Sequence, residues 1–436
     1  MADFARSADP AVQAELDLLS KLSPGGDRLG LDRISRLLDR LGRPQDALPP
    51  VLHVAGTNGK GSACAFLRAA LEAAGHSVHA YTSPHLVRFN ERIRIAGRLV
   101  EDGQLATLLA EVREASDGIE PSFFEATTAA AFLAFARAAA DACIIEVGLG
   151  GRLDATNVID RPLVTAIASL GLDHQQFLGR TMADIAGEKA GIARGGVPLI
   201  TQLYPEQIAA KISEIAHAVG APWLPRGGGW DVIVRQGKLH YSDERGELAL
   251  PVPRLPGRHQ VLNAGLAIAM LRHQEALKVP ASALGAAMGW ADWPARLQRL
   301  GAGPLTELLP LGSELWVDGG HNPAAARLVA DWARHHWIEG RPVHLLFAAL
   351  QSKDAAGILK PFSGIADTVH TLPIEGHECR EPDELAAMAR KQGFKAYARE
   401  SIGQALAAIR KPAHVLVFGS LYLAGEALGA NGTVPD

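Results

Sequence analysis

The stretch Val51-Leu52-His53-Val54-Ala55-Gly56-Thr57-Asn58-Gly59-Lys60-Gly61-Ser62 decides the fold. A short apolar run ends in a glycine-rich turn carrying one lysine, and an alanine-rich helical pattern follows through Ala63, Ala65, Phe66, Leu67, Ala69, Ala70 and Leu71. Strand, loop and helix in that order make a phosphate cradle. Glycines let backbone N–H groups turn inward, and the helix contributes the positive end of its dipole. On this reading Gly56, Thr57, Asn58, Gly59, Lys60, Gly61 and Ser62 form the loop. Lys60 is a point charge for the outer phosphates, and the Thr57 and Ser62 hydroxyls are available to phosphate or metal. The wording G-x-x-G-K-G-S departs from the common G-x-x-x-x-G-K-[ST], so on these residues alone a plain strand-to-helix turn stays open.

Outward from the loop, apolar strands alternate with helices. Upstream, Leu29, Leu31, Ile34, Leu37, Leu38 and Leu41 recur at helical spacing until Gly42 and Pro44. Downstream, strands are expected at Val78–Tyr81, Ile93–Ile95, Ala142–Ile145, Val164–Ala168 and Pro198–Gln202. Helices are expected at Glu101–Ala115, in the alanine-rich segment Ala126–Ala142, at Met182–Ala193 and at Asn263–Leu271. Trp230–Val252 changes to short alternating runs separated by turn signals, an antiparallel patch. After Trp293–Gln298 a second series begins: Glu314–Val317, a helix from Ala324, Val343–Phe347, Thr368–Leu372, a helix from Glu381, and Val415–Phe418. The expected fold is α/β: a P-loop-containing, mainly parallel sheet domain with a small antiparallel patch (1–297), plus a smaller Rossmann-like α/β C-terminal domain (298–436). The second series lacks G-x-G-x-x-G, so no dinucleotide is expected there.

The bulk numbers narrow the function. With 436 residues the chain has room for two or three domains, and 48% hydrophobic with 21% charged residues is a globular balance. A net charge of −4 gives no reason to expect nucleic acid as a partner. Cys64, Cys143 and Cys379 have no paired spacing, so neither a disulfide framework nor a zinc site is expected. The N-terminus shows no secretory pattern and no apolar stretch reaches spanning length, which places the expected protein in the cytoplasm, away from membranes.

Several polar groups fall at strand ends. Glu146 closes the strand from Ala142, where a carboxylate beside a phosphate loop can hold magnesium, and Gly148, Gly150 and Gly151 around it would permit close ligand approach. Asp154 and Asn157, just downstream, can contact substrate or metal-bound water. Asp173 and His174 follow the next strand, at the same sheet edge. Lys189, on a helix, reads from periodicity alone as a solvated charge. Ser83 and His85 lie in the loop after Tyr81, and Asp318 and His321 follow the strand ending at Val317. Polar strand ends in both domains raise the expectation of a cleft between them.

The motifs H-V-A-G-T-N-G-K-G-S, Y-T-S-P-H-L, E-V-G-L-G-G-R-L-D-A-T-N, D-H-x-x-F-L-G-x-T with I-A-x-E-K-A-G-I, L-P-G-R-H-Q-x-x-N, W-P-A-R-L and D-G-G-H-N-P occur in this order. Together they resemble the folylpolyglutamate synthase/dihydrofolate synthase family, relatives of the Mur ligases, from about Leu29 to Glu426. The resemblance implies an ATP-dependent amide ligase. The terminal phosphoryl of ATP passes to a carboxylate of a pterin substrate, the amine of L-glutamate attacks the acyl phosphate, and ADP and phosphate leave. The resemblance further implies a bifunctional enzyme, with dihydropteroate and (tetrahydro)folates as acceptors, working as a monomer.

Carried over by motif, Ser83 and Glu146 resemble ligands of a first magnesium ion and His174 a ligand of a second. Lys189 matches a lysine carbamylated in the family, which reverses the charge that periodicity assigns it. Lys60, Asp154, His174 and Lys189 are thereby implied in catalysis. Asn263, Arg296, Asp318 and His321 match positions around ATP, Ser420 a position near glutamate, and D-R-L-G-L-D-R-I (Asp27–Ile34) a pterin-side stretch. F-A-A-L-Q-S-K-D departs from the family's glycine-lysine-aspartate wording, leaving the role of Lys353 open. Three other readings stay open: a monofunctional member, a Mur-type peptide ligase, and a nucleotide-fold binding protein without turnover. The Y-T-S-P-H-L loop weighs against the second, and the presence of Lys60, Glu146, His174 and Lys189 against the third.

Overall fold

A computed structural model describes residues 5–22, 29–337 and 340–435. The chain divides into two compact units: Met1–Arg254 with His259–Asp292, and Leu255–Arg258 with Trp293–Pro435. Of the pterin-side stretch, Asp27 and Arg28 lie outside the described residues, as do Met1–Phe4.

The first unit is built on eight strands: β1 (Val51–Ala55), β2 (Val78–Tyr81), β3 (Ile93–Ile95), β4 (Arg98–Leu99), β5 (Ala142–Glu146), β6 (Val164–Ile167), β7 (Leu199–Thr201) and β8 (Trp223–Pro225). Their order is β4-β3-β2-β5-β1-β6-β7-β8, parallel from β2 to β8, with β3 and β4 added antiparallel. All five residues of β1 are buried, as befits a central strand covered on both faces. Chain order reverses around β1, so the loop after it opens at a switch point, where ligands of open α/β sheets bind.

The helices of this unit are α1 (Pro10–Ser20), α2 (Asp32–Arg40), α3 (Lys60–Ala73), α4 (Asp102–Ala115), α5 (Phe123–Ala136), α6 (Gln175–Leu178), α7 (Met182–Ala190), α8 (Glu206–Val219), α9 (Arg258–Arg272) and α10 (Ala281–Trp290). The alanine-rich segment is α5, buried on all sides from Glu125 to Phe135, as an apolar perimeter requires. Its start is a capping box in which Ser122 and Glu125 each satisfy the other's backbone N–H. Leu16, Leu19, Leu37, Leu38, Leu105, Leu109 and Phe132 join α1, α2, α4 and α5 in one core. Ile167, Ala186, Ala190, Ile208 and Ile212 form another under α7 and α8. The expected antiparallel patch is a separate sheet of β9 (Trp230–Arg235), β10 (Lys238–Asp243) and β11 (Gly246–Pro251), with β10 central.

The second unit has β12 (Gln298–Arg299), β13 (Glu314–Val317), β14 (Val343–Phe347), β15 (Thr368–Thr371), β16 (Lys395–Ala398) and β17 (His414–Phe418), in the order β12-β13-β17-β14-β15-β16. All pairs are parallel except that of β12 with β13. Helices α11 (Pro323–His336), α12 (Ala355–Leu359), α13 (Pro382–Lys391), α14 (Ile402–Ala407) and α15 (Leu421–Ala430) connect them. Leu345, Phe347, Ile358, Phe362, Leu385 and Phe418 fill its core. Several helix bounds differ from expectation, the alanine-rich one running Phe123–Ala136 rather than Ala126–Ala142. The helix from Met182 stops at Ala190, where Gly191 takes the C-cap, and α9 starts five residues before Asn263 because the L-P-G turn ends sooner than the apolar spacing indicates. Among the described residues no helix is long and apolar enough to cross a membrane.

Candidate active site

The phosphate-loop candidate is shaped by its own glycines and by β6. Gly56 has φ 150°, and a Cβ there would stand 2.9 Å from Ala168 Cβ. Gly59 has φ 88° and is covered by Asn263, whose amide oxygen occupies the space a Cβ would need. The N–H groups of Thr57 and Asn58 both donate to Ser169 O, at 2.8 and 3.1 Å, and the Thr57 hydroxyl donates to Gly171 O at 3.1 Å. Thr57 was expected to offer its hydroxyl to phosphate or metal; its proton is committed to the loop after β6. The first-turn amides of α3, at Lys60, Gly61 and Ser62, carry the positive helix end instead.

Around this turn stand the charged groups. Lys60 Nζ lies 3.7 Å from Glu146 Oε1, and Glu146 Oε2 accepts the Ser83 N–H at 3.3 Å. Adjacent parallel strands explain the convergence: β1, β5 and β2 run side by side, so the residues after their C-terminal ends meet. The Ser62 hydroxyl, 1% exposed, has no hydrogen-bond partner. A buried hydroxyl left without a partner in the first turn of α3 fits a hard divalent cation or a phosphate oxygen. The donors here, Ser62, Ser83 and Glu146, are oxygens of the kind magnesium prefers. Among the described residues no three His, Cys, Asp or Glu side chains gather into a metal set of their own.

Lys189 is not the solvated charge that periodicity indicates. It is 4% exposed, and its Nζ donates to Gly56 O at 3.0 Å. Burial, and then the charge of Lys60, pulls its pKa down to about 7 against the attraction of Asp173 and Asp154. His174 has left-handed backbone at φ 50°, and its Nε2 stands 3.9 Å from Asp173 Oδ1.

The glycines after Glu146 were expected to admit a ligand; the protein itself fills that space. A Cβ on Gly151 would stand 2.7 Å from Glu188 O and 2.9 Å from Lys189 Cα, and one on Gly150 would stand 2.8 Å from Leu178 Cδ2. Phe124 covers Gly148. These glycines bring the loop onto α7, where Arg152 N–H donates to Glu188 O at 2.7 Å. Asp154 braces the same loop: Oδ2 accepts Leu149 N–H at 2.7 Å, and Oδ1 accepts the N–H and hydroxyl of Thr156 at 3.0 and 2.5 Å. Burial pushes its carboxyl pKa up against those bonds. Asn157, expected at substrate or metal water, has its side chain engaged within the protein: Nδ2 donates to Arg152 O and Gly191 O, and Oδ1 accepts from Arg194 Nη2. His85 accepts from the buried Arg92 Nε at 2.9 Å.

In the second unit, Asp318 and Ser420 follow the neighbouring strands β13 and β17. Asp318 accepts Leu297 N–H at 2.9 Å and Gly320 N–H at 2.7 Å; burial raises its pKa, opposed by Arg296. Arg296 lies between Ala295 and Leu297, both at positive φ (55° and 45°), and its Nη1 donates to Ala295 O at 2.8 Å. Non-glycine residues held so are strained, and such strain clusters at functional sites. His321 Nδ1 stands 3.0 Å from Gly319 O, and the Ser420 hydroxyl caps α15 by accepting Tyr422 N–H at 3.1 Å. Sequence reasoning assigned no role to His53 or Thr156, though both stand inside quoted motifs; their contact across 103 positions had no local signal.

Residues 307–421 match the family described as Mur ligase, glutamate ligase domain. The dihydrofolate synthase/folylpolyglutamate synthase of Escherichia coli (strain K12) is 35% identical over 396 residues, covering 90% of this chain and 89% of that one. The structure of E. coli FolC in complex with DHPP and ADP aligns with a TM-score of 0.86 at 34% identity, over 97% of both chains. A bifunctional folylpolyglutamate synthase/dihydrofolate synthase crystallised with Mn, AMPPNP and L-glutamate aligns with a TM-score of 0.84 at 32% identity, over 98% of this chain and 99% of that one. With relatives this similar along almost its whole length, the chain belongs to the dihydrofolate synthase/folylpolyglutamate synthase family of ligases.

Proposed function

We propose that this enzyme joins L-glutamate to dihydropteroate and to (tetrahydro)folates, consuming ATP and working as a cytoplasmic monomer. The observation that carries the reading is the pairing of Lys60 with Glu146 at 3.7 Å over the first turn of α3. A cation, a carboxylate and free helix amides at one strand edge are what transfer of a phosphoryl group between anions needs, because charge neutralisation rather than covalent help lowers that barrier.

In the proposed reaction Lys60 and the amides of Lys60, Gly61 and Ser62 hold the outer phosphates of ATP. The pterin-side carboxylate attacks the terminal phosphorus, the bond to ADP breaks, and an acyl phosphate results. The glutamate amine then attacks the acyl carbon, the amide forms, and phosphate leaves with the former carboxylate oxygen. Glu146, Ser83 and Ser62 would hold magnesium, with His174 and a carbamate on Lys189 serving a second ion; bound there, the metal neutralises phosphate charge. Lys189 supports the carbamate: an amine with pKa near 7 is substantially unprotonated at neutral pH and nucleophilic toward carbon dioxide. The family's motifs assign Asn263, Arg296, Asp318 and His321 to the nucleotide and Ser420 to glutamate, and these assignments belong to the proposal, as does Asp154 in catalysis. So does the division of labour between a nucleotide-binding domain (1–297) and a glutamate-ligase domain (298–436).

The test is a substrate panel. With ATP, magnesium and L-glutamate, both dihydropteroate and tetrahydrofolate should give ADP and a product heavier by one glutamyl residue. Turnover of only one acceptor makes the enzyme monofunctional; ADP release with neither removes the ligase reading.

A further inference from the structure

His53 sits at the centre of β1, opposite Ile145 of β5 and Thr165 of β6, with its ring 1% exposed. A buried imidazole in a central strand needs a partner, and Nε2 finds the Thr156 hydroxyl at 2.9 Å. Thr156, itself fully buried, gives its hydroxyl proton to Asp154 Oδ1 at 2.5 Å. The hydroxyl therefore accepts from His53, which fixes the ring as the Nε2–H tautomer. Burial lowers the His53 pKa to about 3, consistent with a neutral ring at any working pH.

The contacts then close a circuit. From Asp154 the path runs through Leu149 N–H to the glycine loop, from Gly151 and Arg152 to Glu188 and Lys189 on α7, and from Lys189 Nζ to Gly56 O. Gly56 lies three residues after His53 on the same chain segment. Thus the segment from β1 into the following loop holds α7 at two points, directly through Gly56 and indirectly through His53. The second route spans the loop that begins right after Glu146.

We propose that His53 is a positioning residue: by orienting the Thr156 hydroxyl on Asp154 it sets the loop between Glu146 and Asp154, and with it the placement of Lys189 against the phosphate loop. The proposal rests on the ligase reading for its kinetic consequence, but not for its structural one.

The experiment compares Thr156→Val, Thr156→Ser, His53→Leu and His53→Gln in the full chain. Two readouts are used: steady-state kinetics, and hydrogen exchange of peptides covering 148–157 and 182–192. Removing an outer hydrogen bond that orients a site commonly costs about 10- to 100-fold in activity. Thr156→Val and His53→Leu should therefore lower kcat about tenfold or more with little change in KM for the pterin acceptor. They should also speed exchange in both peptides while β14 exchanges as before. Thr156→Ser, which keeps the hydroxyl, and His53→Gln, which keeps a donor, should recover most of both. Undiminished kcat in Thr156→Val, or a serine variant as impaired as the valine one, overturns the proposal. So does faster exchange spread evenly over the first unit, which would mark general destabilisation. Should His53→Leu fail to fold, the Thr156 pair decides. Should the wild type lack ligase activity, the ligase reading fails and the exchange pattern still decides this one.

Discussion

Lys189 Nζ donates a 3.0 Å hydrogen bond to the carbonyl oxygen of Gly56, tying α7 to the first residue of the phosphate loop across 133 positions of the chain. An amine so placed is buried, faces the charge of Lys60, and has its pKa lowered to about 7. Lys189→Ala is expected to lose on the order of 100-fold in kcat, as removal of a metal-organising group does. Added short carboxylic acids should restore part of it, and wild-type activity should fall in bicarbonate-depleted buffer. Full activity of the alanine variant would remove the carbamate.

The same lysine makes a stability prediction of definite sign. Its folded pKa of about 7 lies below the ordinary 10.5, so between those values the unfolded chain binds more protons than the folded one. Stability contributed at this site should rise as pH climbs from about 7 toward 10.5, and remain level below 7 where both forms are protonated. Urea midpoints measured in carbon-dioxide-free buffer at neutral and alkaline pH should diverge for the wild type and much less for Lys189→Met.

The Ser62 hydroxyl is buried without a partner, and the Ser83 N–H donates to Glu146. Ser62→Ala should raise the magnesium requirement and KM for ATP about tenfold while leaving thermal stability near wild type, since no protein contact is lost. Ser83→Ala should likewise weaken apparent magnesium affinity more than acceptor affinity. Magnesium titrations at saturating acceptor read both effects; a change confined to acceptor KM would move these hydroxyls from metal to substrate.

Asp243 anchors the antiparallel sheet to α9. Its buried carboxylate accepts both Arg272 Nε and Nη2 at 2.6 Å, the Tyr241 hydroxyl at 3.1 Å and the Arg245 N–H at 2.8 Å. Burial raises its pKa, but the Arg272 bonds outweigh this and hold it below the usual carboxylate range. A lowered carboxyl pKa stabilises at neutral pH and is lost as pH falls through the acid range. Asp243→Asn should destabilise the first unit by ~3 kcal/mol, because Arg272 loses its counter-charge, and should flatten the acid limb of a stability–pH curve.

Arg33 reaches Glu125 with two bonds, Nε to Oε2 at 3.0 Å and Nη2 to Oε1 at 3.1 Å, while Glu125 also accepts the Ser122 N–H at 2.6 Å. Glu125→Ala removes a two-pronged ion pair and half of a capping box together. It should cost about 2–4 kcal/mol, more than Arg33→Ala, whose loss leaves the cap intact. Chemical denaturation of the two single variants and the double variant separates the shared part.

Much of this was legible in the sequence where chemistry and chain order coincide. Strand, glycine turn and helix follow one another between Val51 and Ala73, so periodicity alone outlines them. Glu146 reads as a strand-end acid for the same reason. Lys189 was opaque to periodicity, since a lysine beside a glutamate on a helix looks solvated, and its contact with Gly56 lies 133 positions away in the chain. The glycines at 148, 150 and 151 were legible as close-approach positions, but what approaches is α7 and its neighbours, a tertiary fact. Helix α10 and strand β16 escaped notice because Ala281–Trp290 has little polar contrast and Lys395–Ala398 is too short to show alternation.

The amides of Thr57 and Asn58 already have the carbonyl of Ser169 as their partner. Folding of β6 beside β1 therefore settles the course of the phosphate loop. Its backbone freedom is surrendered once, when the chain folds, so on the proposed reading the catalytic cycle can turn over without reordering the segment assigned to the phosphates.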